Sequence, residues 1–143
     1  MRETDRAFVI RTWLASNRET AMGRNAGPAY EPEHKALIHL ALKRGATVRV
    51  LCDAADEDTV WGFACVEPDA SPCCIVHYVY VRNEFRRMGF ARELLGELAR
   101  AKAIATHRIV DALHFRGEGG IKMPALWHFN PYRFFSQPRP VAA

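Results

Sequence analysis

Nowhere in the chain do apolar residues run on for the roughly 20 positions that a membrane helix needs, and the opening Met1-Arg2-Glu3-Thr4-Asp5-Arg6 has none of the apolar core of a secretory leader. A cytoplasmic protein that does not span a membrane is the expectation. The four cysteines, at 52, 65, 73 and 74, form no C-x-x-C pair and fall in or beside strand-like segments. They are expected to stay reduced and to pack as small hydrophobes. The six histidines lack metal-site spacing: His34 and His39 are five apart, whereas a helix brings residues three or four apart onto one face. No metal is expected. Internal repeats, low-complexity tracts, a basic tail and any Lys/Arg-rich block are missing too.

What is present is an ordinary apolar share, 49% of 143 residues, enough for one domain over 1–143 to bury a core without staples. The formal charge of +4 is unevenly spread. Asp53, Asp56, Glu57, Asp58, Glu67 and Asp69 sit mid-chain, and Arg82, Arg86, Arg87, Arg92, Arg100, Lys102 and Arg108 follow. The second half should therefore attract anions. Without a basic block, a phosphate-bearing small molecule is at least as good a reading of that charge as nucleic acid.

Phe8, Val9, Trp13 and Leu14 recur at helical spacing after an N-cap at Thr4 or Asp5, predicting a helix to about Arg18. A loop with Gly23, Gly27 and Pro28 follows, then a second helix with Pro32 in its first turn and Gly45 as its stop. Residues 46–52 and 59–66 flank the turn-rich 53–58 and predict an antiparallel hairpin. Residues 73–81 are almost continuously apolar, as a central strand covered on both faces would be. A helix from Arg86 to about Ala103 and a strand over 108–115 complete a strand-helix-strand unit, which implies a parallel crossover. The fold class is therefore α/β: a mixed, largely antiparallel sheet with helices on both faces, a core over 1–115 and an atypical aromatic tail over 116–143.

The informative stretch is Val79-Tyr80-Val81-Arg82-Asn83-Glu84-Phe85-Arg86-Arg87-Met88-Gly89-Phe90-Ala91, where an apolar strand runs into a basic loop and then a helix. The first amides of a helix lack an intrahelical partner and carry partial positive charge, so they suit an anion. Gly89 lets backbone come close to a phosphate, and Arg86 and Arg87 add full charges.

This pattern resembles the signature of the GNAT N-acetyltransferase superfamily, Q/R-x-x-G-x-G/A, with Arg86, Gly89 and Ala91 in its three defining positions. The resemblance implies that the loop formed by Arg86, Arg87, Met88, Gly89, Phe90 and Ala91 holds the pyrophosphate of acetyl-CoA. It also implies that Val79 and Val81 hold the pantetheine arm through their backbone, and that the acetyl group passes to an amine. The family's base is often a carboxylate on the strand before the motif. Here that position falls near Ile75, and the nearest titratable group is His77, two residues on and on the same face. For the acid, Tyr132 is best placed in chain order, with Tyr78 and Tyr80 as strand alternatives.

Two other readings stand beside the enzyme. One is a GNAT-like module without catalysis, a binding or structural component in a homo-oligomer or larger assembly; a similarity to small GNAT-like proteins of tailed phages, through His77-Tyr78-Val79-Tyr80-Val81-x-x-x-Phe85-Arg86-x-x-Gly89, implies a virion-associated or DNA-modifying role in that setting. The aromatics between Trp127 and Phe135 would suit base stacking in a nucleic-acid module, although such a patch is more often core or interface. The tail is expected to cover the sheet or a partner rather than hang free.

Overall fold

The strongly apolar strand Cys74–Val81 lies at the centre of the sheet. A computed structural model describes residues 1–69, 73–107 and 126–135, without the side chains at positions 21 and 22. Helices α1 (Glu3–Arg18), α2 (Ala21–Arg24) and α3 (Tyr30–Lys43) precede strands β1 (Thr47–Cys52), β2 (Val60–Pro68) and β3 (Cys74–Val81). A 3-10 turn (Asn83–Phe85), α4 (Phe90–Leu95), a second 3-10 turn (Gly96–Ala99), β4 (Ala103–Ala105), β5 (Trp127–Phe129) and α5 (Tyr132–Phe135) follow. The sheet order is β1-β2-β3-β4-β5. β1-β2 and β2-β3 are antiparallel, and β3-β4 and β4-β5 are parallel. The parallel step at β3-β4 is the expected crossover.

Alternation along β2 sends Phe63 and Cys65 to one face and Ala64 and Val66 to the other, so the sheet carries two cores. On the first face Val9 and Trp13 of α1, Ile38 of α3 and Phe134 of α5 pack with Phe63, Cys65 and Tyr78. On the second, Leu94 and Leu95 of α4 pack with Ala64, Val76, Ala105 and Trp127. Helices cover both faces, as the composition implies. All four cysteines are free thiols.

Several boundaries differ from the sequence expectation for local reasons. α1 begins with Arg2 as its N-cap, not Thr4 or Asp5, because the Asp5 carboxylate reaches back to accept from the Arg2 backbone N–H at 2.9 Å. The loop after it contains α2, where the Thr20 hydroxyl accepts from the N–H of Gly23. The helix expected over 86–103 is α-helical only over Phe90–Leu95. Gly96, at φ 56°, leaves the helical region, and Arg49 Nη1 donates to the freed carbonyls of Leu94 and Leu95 at 3.2 and 3.1 Å. The strand that follows is accordingly β4, ahead of the expected 108–115, which lies outside the described residues. The aromatic tail does supply cover: Trp127 is 7% and Phe134 2% exposed, although Tyr132 and Phe135 face outward.

Candidate functional site

β3 and β4 pair over three residues, Cys74 with Ala103, Ile75 with Ile104 and Val76 with Ala105. The contact ends with the Thr106 N–H on the Val76 carbonyl at 3.2 Å. On its other edge β3 stays paired with β2 as far as Val81 opposite Gly62. Among the described residues the two parallel strands thus part company just beyond Val76, leaving a notch lined by Val76, His77, Tyr78, Val79, Ala105, His107 and Trp127. The Arg82 N–H donates to Trp61 on β2, so by antiparallel alternation the backbone groups of Val79 and Val81 face the notch edge instead.

A bulge shapes this place. Val66 pairs with Val76 and Cys65 with Tyr78, which leaves His77 as the extra residue of β3. His77 and Tyr78 consequently share the face covered by α1, α3 and α5, where the His77 ring lies 5.4 Å from that of Phe134 and Tyr78 stacks on Trp13 at 4.9 Å.

The basic loop follows β3 directly. Gly89, the N-cap of α4, has φ 86°, and a Cβ built there would meet nothing within 4 Å. The glycine is needed for backbone conformation, and the space beside it is open. Arg87 also has positive φ, 67°, and it, Met88 and Gly89 are exposed. Arg86 is half-buried and turned back, its Nε donating to the Val81 carbonyl at 2.9 Å. Trp61 of β2 props the loop, its ring 5.1 Å from Phe85 and 5.3 Å from Phe90. Gly62 allows the close approach, since a Cβ there would sit 2.5 Å from the Tyr80 carbonyl oxygen and 3.3 Å from Leu94 Cδ1.

His77 is 1% exposed and uses both ring nitrogens, Nε2 at 2.6 Å from Glu67 Oε2 and Nδ1 at 3.0 Å from Thr106 Oγ1. Glu67 in turn accepts from Arg44 Nε at 2.8 and 3.1 Å, and Arg44 Nη2 donates to the Phe134 carbonyl at 3.3 Å. Burial works to raise the Glu67 pKa, but the hydrogen bonds from His77 and Arg44 prevail and hold its carboxyl below the usual range. Burial pushes His77 below the usual histidine range against the pull of Glu67. Ile75, at the position where the family often has a carboxylate, is buried.

Tyr132, on α5, is 80% exposed, and its backbone N–H donates to Asn130 Oδ1. Tyr78 lines the notch, and its hydroxyl lies 2.6 Å from Ser16 Oγ; burial pushes its pKa up to about 12. The structure thus brings His77, Tyr78 and Val79 to the notch, with Val81 further along the same strand before the basic loop, while Tyr132 sits exposed on α5. Sequence reasoning missed Arg44, Glu67 and Thr106 as partners of His77. The usable signal was Glu67 itself, a lone charge closing an otherwise apolar strand, which needs a partner once buried. Among the described residues no group of three or more His, Cys, Asp or Glu side chains could hold a metal ion, and no helix is long and apolar enough to cross a membrane.

Among the described residues β3 loses its parallel neighbour halfway and then runs through a basic loop with left-handed residues into a helix. A model of the acetyltransferase (GNAT) family matches residues 10–115, and the chain belongs to that family. No curated protein and no solved structure matches the chain. Membership supports acyl transfer as the general activity.

Proposed function

We propose that the protein is an acyl-CoA-dependent N-acyltransferase that moves an acetyl group from acetyl-CoA to an amine, the whole of 1–143 acting as one domain. The observation that carries this reading is the edge of β3 at Val79 and Val81, unpaired among the described residues, followed by the positively charged loop of Arg86, Arg87, Met88, Gly89, Phe90 and Ala91. Backbone groups on a free strand edge suit the amides of the pantetheine arm. The exposed Arg87 and the outward amides at the start of α4 suit its pyrophosphate. His77 is the base candidate and reaches the cleft only through its partners, because both ring nitrogens are engaged. For the acid, Tyr132 is the candidate from chain order and Tyr78 the one favoured by lining the notch.

Titrating acetyl-CoA into the purified protein by calorimetry, then following free thiol with mixed amine acceptors, tests the reading. Binding with turnover supports it. The engaged nitrogens of His77 favour a second reading, a GNAT-fold binding or structural protein without catalysis, which binding without turnover would support. Absence of affinity for acetyl-CoA, CoA and longer acyl-CoAs would sink the donor site altogether.

A further inference from the structure

Trp127 belongs to β5, yet its side chain lines the notch between β3 and β4. Neighbouring strands lie about 4.8 Å apart, so the indole reaches that notch only by crossing over β4. β4 permits the crossing because the residues it turns to this face are Ala103 and Ala105, 2% and 1% exposed, which pack with Trp127, Val76, Leu94 and Leu95. The ring is fixed in place, its Nε1 donating to the Leu98 carbonyl at 3.0 Å. An indole laid over two alanines and pinned at its nitrogen makes a wall of set depth.

That wall stands at the closed end of the notch. β3 and β4 are paired up to Val76 and Ala105, and Trp127 pairs with Ala103, on the paired side of that point. A donor with its pyrophosphate at Arg87 and Gly89 and its arm running back along Val81 and Val79 brings its thioester to Val76 and Ala105. There the paired strands bar the acyl group from continuing in the plane of the sheet, so it turns to one face. On the α1 side the notch presents His77, Tyr78 and His107, each with polar atoms. On the α4 side it presents Val76, Val79, Ala105 and Trp127, all apolar. An alkyl chain takes the apolar side, and the indole is what it meets there.

We infer that Trp127, reaching across Ala103 and Ala105, sets the length of the acyl chain the protein accepts, admitting acetyl and turning away longer straight chains. The inference rests on the acyl-transfer reading and names its donor class, short and uncharged acyl thioesters of CoA. Among the described residues that line the notch none is a lysine or arginine, so an acyl group ending in a carboxylate finds no cation there. A shorter side chain at 127 leaves space above the two alanines, continuous with the notch, which neither alanine fills. Each methylene buried in such a space is worth about fourfold in affinity, so the gain grows with chain length.

The test is calorimetric titration of the full chain with CoA, acetyl-CoA, butyryl-CoA and hexanoyl-CoA, which needs no acceptor. The wild type is expected to bind acetyl-CoA as well as it binds CoA, butyryl-CoA less well and hexanoyl-CoA least. Trp127→Leu keeps an apolar cover over the alanines but falls short of the notch. It should hold hexanoyl-CoA about tenfold to a hundredfold more tightly than the wild type does, with acetyl-CoA little changed. Taking the ratio of hexanoyl-CoA to acetyl-CoA affinity within each protein cancels any general loss of folded material. A wild type indifferent to chain length, or a ratio that Trp127→Leu leaves unchanged, overturns the inference and leaves the donor site standing. No affinity for CoA or for any of the thioesters overturns the acyl-transfer reading with it. Should Trp127→Leu not fold, the Nε1–H resonance of Trp127 in the wild type decides. It is expected to shift when acetyl-CoA replaces CoA, and an unmoved resonance overturns the inference.

Discussion

Arg86 donates from Nε to the carbonyl of Val81 at 2.9 Å, which ties the first arginine of the basic loop to the strand edge that the arm of an acyl-CoA would use. A donor that pairs with Val81 has to displace this contact. Arg87, exposed and held at φ 67°, gives up no such bond. Arg87→Ala is therefore expected to weaken acetyl-CoA binding about tenfold to a hundredfold, the worth of one charge-assisted hydrogen bond, and Arg86→Ala by less. Calorimetric titration of the two variants checks the order; a larger loss for Arg86→Ala would show that its side chain swings onto the pyrophosphate.

Gly89 separates stability from binding. Its φ of 86° makes any L side chain strained, so Gly89→Val should cost on the order of 1–2 kcal/mol in urea unfolding. Gly89→Asn should cost less, because asparagine tolerates the left-handed region. Both fill the open space beside the loop, so both should lose acetyl-CoA affinity. Retained affinity in Gly89→Asn would mean that no phosphate approaches that backbone.

Acid should unfold the protein earlier than its modest size suggests. His34 and His107 have folded-state pKa values of about 4 and about 3, below the roughly 6.5 of an unfolded histidine, and Glu67 is also depressed. For each group the unfolded chain binds more protons. Stability is then full above about pH 6.5 and falls as the pH drops toward the folded values, by on the order of 3 kcal/mol for His34 alone. His34→Gln should flatten the slope of urea stability between pH 6.5 and pH 4, and an unchanged slope would refute the assignment.

Arg44 and Phe134 close the first core from two directions. Arg44→Met leaves the Glu67 carboxylate buried without its cation and is expected to cost about 3–5 kcal/mol. Phe134→Ala empties a site packed by Trp13, His34, His77 and His107 and should cost a similar 3–5 kcal/mol, while Phe135→Ala, on the outer side of α5, should change little. Equal melting of the two phenylalanine variants would contradict the burial of the tail.

Periodicity carried the frame well because the pattern of β1 to β3, and of α1 and α3, is set by strong alternation or helical spacing over many residues. It failed where a single backbone angle decides. Gly96 ends α4 about two turns before its apolar spacing does, and Ala103-Ile104-Ala105 is too short a strand to show a period. The basic loop was legible because its pattern is local, strand to glycine to helix. The partners of His77 were not, since Arg44, Glu67 and Thr106 meet only after β2, β3 and β4 align, and the bulge that turns His77 and Tyr78 to one side leaves no mark in composition.

Among the described residues β3 loses its β4 neighbour after three paired residues, which leaves that edge without a strand partner at Val79 and Val81. Only something that brings its own regularly spaced peptide-like groups can complete it. On the proposed donor reading the edge selects the carrier, not the acyl group, and a short thioester without the amide-bearing arm should be a poor donor however reactive its carbonyl. Variation in the transferred acyl chain, by contrast, is left to whatever the far end of the notch admits.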